Sequence, residues 1–312
     1  MSYQQFITAA RGRLASAARE TCQVAGVGTV EFVDDGAGPP ALVSHPLFGG
    51  FDTGLGVGRQ FLGPDHRIVA PSRFGYLGST MPHTATPADQ ADAFTAVLDE
   101  LELDRVVVLG YSAGGPSVIQ LALRHPERVS ALVLVASALP GKAGNPPRLV
   151  ARALFGSDVT FWLLGRMGPS VTARILGMDR QFRPVGSQRQ VIEDTWASLF
   201  PVAPRKRGVL HDLYVSNPDV QTYPLEKITV PTLVLSAHDD AMSAYDNAES
   251  AVPRISSARL VSFADGGHLL LDHDDAIRRS VADFLQMAPS PRSARAGGLP
   301  PVAGKSSRSP TP

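Results

Sequence analysis

Ser112 lies in the run Gly110-Tyr111-Ser112-Ala113-Gly114, with one glycine two positions before it and another two after. A serine hydroxyl is a weak nucleophile at neutral pH and needs a base to take its proton. A neutral imidazole acting as that base needs an acid to hold its tautomer. Two other stretches supply these residue types: "ADGGHLLLDH" carries His268 behind a glycine pair, and "TLVLSAHDDAM" carries Asp239 and Asp240. Together they are the parts of nucleophilic acyl transfer, with either aspartate available as the orienting acid. His273 falls on the helical pattern that follows and reads as a surface residue. The "HDD" and "DHDD" clusters lack a second cluster at ligand spacing, so they read as solvated loop charges and not as a metal site.

For this chemistry the chain must bring three distant segments to one place. Ser112 follows the apolar run "VVVLG" and precedes a helical pattern, the strand–turn–helix context in which a glycine-flanked serine is lifted above a sheet edge. Strand-like runs occur at 29–34, 41–44, 67–70, 105–110 (the run that holds "VVVLG"), 131–137, 231–236 and 258–263, with helix-length segments such as Pro87–Leu103 and Pro116–Arg124 between them. The central runs are continuously apolar, as strands buried on both faces are. This alternation predicts an α/β fold with a doubly wound, mostly parallel sheet. Strand ends in such a sheet open onto one crevice, where Ser112, the aspartate pair and His268 would meet.

The rhythm breaks over 139–227, a helical, glycine- and proline-punctuated insertion expected to cap the crevice. The expected organisation is an N-terminal helical extension (1–27), a core (28–138 and 228–287), the cap (139–227) and a disordered tail (288–312) rich in Pro, Ser and Gly. The formal net charge is zero, so nothing in the balance points to a nucleic-acid surface, and no nucleic-acid partner is expected. Cys22 is the only cysteine, so no intrachain disulfide is possible. No run approaches the roughly 20 apolar residues of a membrane span. The N-terminus lacks the roughly 7–15-residue apolar core of a signal peptide, and a cytoplasmic location is expected.

These motifs resemble those of α/β-hydrolase-fold proteins, in particular the cap-bearing serine esterases and peroxidase-like members. The resemblance covers roughly residues 28–287 and rests on the Ser112 turn, "PTLVLSAHDD", "GGH" at His268 and "SHPLFGGFDTG" after an early strand. It implies Asp240 as the acid, three residues after the small Ala237. It also implies an oxyanion hole formed by the backbone N–H groups of Leu47 and Ala113, although Pro46 stands where the family usually has glycine. "SRFGYLGST" is similar to a structural arginine-aromatic-glycine loop of the family.

A serine nucleophile argues against epoxide opening and halide displacement, for which relatives use aspartate. It leaves ester hydrolysis as the expectation, on a small to medium, largely apolar substrate and without metal or organic cofactor. Carbon–carbon bond hydrolysis, acyl transfer and cofactor-free perhydrolysis are the alternatives. A ligand receptor on a hydrolase scaffold is the competing class. Tyr111, Phe161 and Trp162 are the expected substrate contacts. Bulky residues of the insertion can equally serve to seat it on the core.

Overall fold

The computed structural model describes residues 1–142 and 144–288, so the low-complexity tail from 289 onward lies outside the described residues. Eight strands form one sheet: β1 Glu20–Val24, β2 Gly28–Asp35, β3 Pro40–Ser44, β4 Arg67–Pro71, β5 Val106–Tyr111, β6 Val129–Val135, β7 Thr232–Ala237 and β8 Ala258–Phe263. Their order is β1-β2-β4-β3-β5-β6-β7-β8. The β1–β2 and β2–β4 pairs are antiparallel and all others parallel. Every residue of β5 and β6 is buried, which is why "VVVLGY" and "VSALVLV" show no polar alternation.

In chain order the helices are α1 Tyr3–Ser16, α2 Phe51–Phe61, α3 Pro87–Glu100, α4 Gly115–Arg124, α5 Arg148–Leu154, α6 Asp158–Arg166, α7 Pro169–Ile175, α8 Gly186–Ser198, α9 Lys206–His211, α10 Asn217–Asp219, α11 Tyr245–Ala251 and α12 Asp274–Met287. Phe51 and Phe61 of α2 pack with Ile277, Val281 and Phe284 of α12 on one face of the sheet. Phe94 and Leu98 of α3, Val118 and Ile119 of α4 and Ala248 of α11 cover the other. The sheet is therefore doubly wound.

Residues 1–27, expected to be a helical extension, hold a strand as well as a helix. Strand β1 ("ETCQV") is an edge strand whose central Cys22 alone is buried, so it lacks the apolar run that marks the inner strands. Helix α1 starts at a capping box, in which Ser2 accepts from the Gln5 N–H while the Gln5 side chain accepts from the Ser2 N–H. It packs on the helices between β6 and β7 through Ile7 and Ala10, which share one cluster with Phe161, Trp196 and Phe200. Arg13 fastens its last turn by donating to the carbonyls of Ala197 (3.0 Å) and Phe200 (3.1 Å).

Candidate active site

Strand β5 ends at Tyr111, and the chain turns sharply into a short 3-10 turn, Ser112–Gly114, before α4. Ser112 adopts φ 53°, a left-handed conformation that costs a non-glycine residue on the order of 1–3 kcal/mol. Its carbonyl is held by the N–H of Ala138 at 3.0 Å. The flanking glycines are a steric requirement: a Cβ at Gly114 would lie 2.2 Å from the Ser44 carbonyl oxygen, and one at Gly110 2.5 Å from Val118 Cγ2.

The Ser112 hydroxyl reaches His268 Nε2 at 2.8 Å, and His268 Nδ1 reaches Asp240 Oδ2 at 2.9 Å and Oδ1 at 3.1 Å. All three residues are buried. Asp240 Oδ1 also accepts the N–H groups of Met242 and Ser243, each at 2.8 Å, so the carboxylate is fixed from its own loop. With the acceptor Asp240 on Nδ1, that nitrogen carries the proton, and the Nε2 lone pair faces the serine O–H. The neighbouring Asp239 does something else: its Oδ1 accepts the Gly267 N–H at 2.8 Å, tying the two loops together one residue before the imidazole.

A cavity of about 240 Å³ opens on this relay, lined by Ser112, His268, Tyr111, Leu47 and Ala113, among others. Leu47 and Ala113 are thus brought beside the serine. The segment between β6 and β7 contributes Phe155, Leu176, Leu199 and Leu213 to the same walls. Tyr111 lines the cavity and also donates its hydroxyl to the His268 carbonyl (3.0 Å), its ring stacked on the imidazole at 5.7 Å. Burial raises the Tyr111 pKa, which keeps the phenol a neutral donor.

Phe161 and Trp162, expected as substrate contacts, are not among the lining residues. Phe161 is fully buried and stacks on Trp196 at 4.2 Å; Trp162 meets Tyr3 of α1 at 5.7 Å. Phe161 also packs on Phe48 (4.9 Å) and Phe155 (6.1 Å), which do line the cavity, so its ring stands behind that wall, while Trp162 faces α1.

Three supporting residues lie outside the expected site; "SHPLFGGFDTG" holds His45 and "SRFGYLGST" holds Arg73, whereas Gly177 carried no signal of its own. His45 is fully buried. Its Nε2 accepts the Arg73 backbone N–H at 3.0 Å, which leaves Nδ1–H to donate to the Pro46 carbonyl at 2.8 Å. Burial, and then the Arg73 charge, push its pKa well below the ordinary histidine value. Arg73 itself sends Nη1 to the Ala113 carbonyl (2.8 Å) and Nη2 toward the Pro46 carbonyl (3.4 Å). Its counter-ion is Asp212, from the segment between β6 and β7. Gly177, between α7 and α8, accepts the N–H groups of Ala241 (3.1 Å) and His268 (3.4 Å).

Among the described residues no group of three or more His, Cys, Asp or Glu is arranged to hold a metal, and no helix is long and apolar enough to cross a membrane.

A family model described as alpha/beta hydrolase fold matches residues 40–275. The chain is 29% identical over 276 residues to a 2-hydroxymuconate semialdehyde hydrolase of Pseudomonas putida, covering 82% of this chain and 90% of that protein. It is also 29% identical over 258 residues to a poly(3-hydroxyalkanoate) depolymerase of Ectopseudomonas oleovorans, covering 80% and 86%. Among solved structures, an alpha/beta hydrolase fold protein from Nakamurella multipartita superposes with TM-score 0.74 at 29% identity, covering 86% of this chain and 99% of that one.

Proposed function

The chain belongs to the alpha/beta hydrolase fold family, and from that premise we propose that it is a serine hydrolase of small to medium, largely apolar carboxylic esters. The reading rests on one observation: the buried relay from Ser112 through His268 to Asp240, open to a cavity at its serine end. In the proposed reaction the Ser112 oxygen attacks the ester carbonyl while His268 Nε2 takes its proton. Asp240 steadies the resulting imidazolium. The N–H groups of Leu47 and Ala113 receive the oxyanion, at about 3 kcal/mol per donor. His268 then returns the proton to the departing alcohol. Water, deprotonated by the same imidazole, releases the acid and restores the serine. Residues 139–227 act in this reading as a cap that excludes water from the oxyanion.

The named activity of the Pseudomonas putida relative supports a second reading, carbon–carbon bond hydrolysis. The two differ in charge. A hydroxymuconate semialdehyde bears a carboxylate, and a buried carboxylate needs a cation. Among the described residues no arginine lines the cavity, and the one lysine that does, Lys142, turns an 86% exposed side chain to within 3.7 Å of Asp246. That lining favours a neutral ester. Parallel assays of the purified protein on p-nitrophenyl butyrate and on a 2-hydroxy-6-oxo-dienoate test the choice. Steady turnover of the ester with little of the dienoate supports the ester reading. The reverse ranking overturns it, and a single acylation without turnover would point to a receptor.

A further inference from the structure

A groove of about 820 Å³ lies where the inserted helices meet the core, and it shares no lining residue with the catalytic cavity. Its walls are the loop 81–85, which follows β4, helix α5, and residues of the 207–215 stretch. His211 of α9 ties two of these walls together by donating Nε2–H to the Ala85 carbonyl at 2.9 Å.

Arg148, Arg152 and Arg207 line this groove, and among the described residues no aspartate or glutamate does. Arg148 and Arg152 stand one turn apart on α5, so their side chains leave the same face of the helix. All three arginines are exposed, and among the described residues none of them meets a carboxylate, whereas Arg67, Arg124 and Arg205 each pair with an aspartate. Arg148 is held in place all the same. Its guanidinium lies 4.8 Å from the centre of the Tyr214 ring, and the Tyr214 hydroxyl donates to the Pro146 carbonyl at 2.6 Å. The chain as a whole has as many acidic as basic residues, so the groove departs from its balance.

The rest of the lining is largely apolar. Met81, Leu149, Leu210 and Val215 belong to it, and Leu149 leaves 81% of its surface in water. Beside guanidinium groups that have no counter-ion, such a wall makes two demands at once: an oxyanion for the arginine forks and hydrocarbon for the aliphatic surface. A cation would be repelled there, and a small inorganic anion would leave the apolar wall wet.

We propose that this groove binds a single amphiphilic anion, an alkyl chain ending in a carboxylate or a phosphate. The head is taken by Arg148, Arg152 and Arg207, and the chain lies on Met81, Leu149 and Val215. Having no wall in common with the Ser112 cavity, the site is independent of the ester reading.

Calorimetric titration with decanoate and with decyl phosphate, each kept below its micelle concentration, tests this. Saturable binding is expected, and the head that binds more tightly is the one the site selects. Decyltrimethylammonium, which keeps the chain and reverses the charge, should bind at least about tenfold more weakly. Arg152→Gln and Arg207→Gln change exposed side chains, and each should weaken the anion about tenfold, the scale of one hydrogen bond to a charged group. Leu149→Ser should weaken it by a similar factor through the chain. A decanoate with a diazirine at its chain end should, on irradiation, label α5 or the 207–215 stretch. Binding unchanged in all three variants, equal binding of the cationic amphiphile, labels confined to the catalytic cavity, or binding that begins only when micelles form would each overturn the site.

Discussion

Arg73 and Asp212 form an ion pair at 2.7 Å with both side chains 3% exposed. One partner follows β4 in the core and the other lies in the segment between β6 and β7. The same guanidinium donates to the carbonyls of Pro46 and Ala113. The Pro46 carbonyl belongs to the peptide unit whose other end is the Leu47 N–H, so a charge drawing on that carbonyl both orients the N–H and makes it a stronger donor. The ion pair thus links the seating of the inserted helices to the two segments proposed to stabilise the oxyanion.

Asp212→Asn is expected to lower kcat about 100-fold, the scale of a misplacement of about 1 Å, with KM nearly unchanged. It should also destabilise the fold by about 3–5 kcal/mol, because the Arg73 charge stays buried without its partner. Kinetics measured well below the melting temperature separate the two effects. A rise in KM at constant kcat would show that the pair only shapes the pocket.

Asp240 and Asp239 are adjacent in sequence but bonded to different groups. Asp240→Asn should reduce kcat by about four orders of magnitude, since the amide favours the wrong imidazole tautomer. Asp239→Asn, which weakens one tether to Gly267, should cost far less. Comparable losses in both would mean that loop anchoring, and not the tautomer, is the aspartate's contribution.

Gly177 sits at φ 82°, and a Cβ there would fall 2.5 Å from His268 Cβ. Gly177→Ala should therefore push the imidazole off the serine and lower kcat by about tenfold to a hundredfold. The rate of fluorophosphonate labelling of Ser112 should fall in parallel. Labelling at the wild-type rate would show that the loop yields without moving His268.

His45 is held neutral in the folded protein, whereas the unfolded chain protonates it near its ordinary value of 6.5. As pH falls through that value the unfolded state binds the extra proton, so stability drops by up to about 1.4 kcal/mol per pH unit. Above it the contribution is flat. Denaturant titrations at pH 5, 6 and 8 should show a steeper acid loss for the wild type than for His45→Gln. Parallel curves would mean that His45 does not carry this dependence.

The sheet and the reactive residues were legible for a local reason. Continuous apolar runs mark buried strands, and glycines two positions either side of Ser112 form a recognisable local spacing, although the atom that Gly114 must avoid belongs to distant Ser44. The choice between Asp239 and Asp240 was not legible from the residues alone, because a one-residue turn decides which carboxylate faces the imidazole. Whether Phe161 and Trp162 meet a ligand or pack is not legible locally, because their partners, Trp196 and Tyr3, lie 35 and 159 residues away along the chain. Asp212 is a lone acid in "VLHDLYV", and nothing near it announces that its counter-ion is Arg73. Strand β1 escaped because an edge strand needs only one buried side chain.

The central claim is that Ser112 becomes covalently acylated during turnover. Intact-mass spectrometry of protein quenched within the first turnover of p-nitrophenyl butyrate tests it directly. The account predicts a butyryl adduct that peptide mapping places on Ser112, that decays as product forms, and that is absent in Ser112→Ala, whose kcat should fall by about six orders of magnitude. Full-rate turnover by Ser112→Ala, or an adduct on another residue, would contradict it.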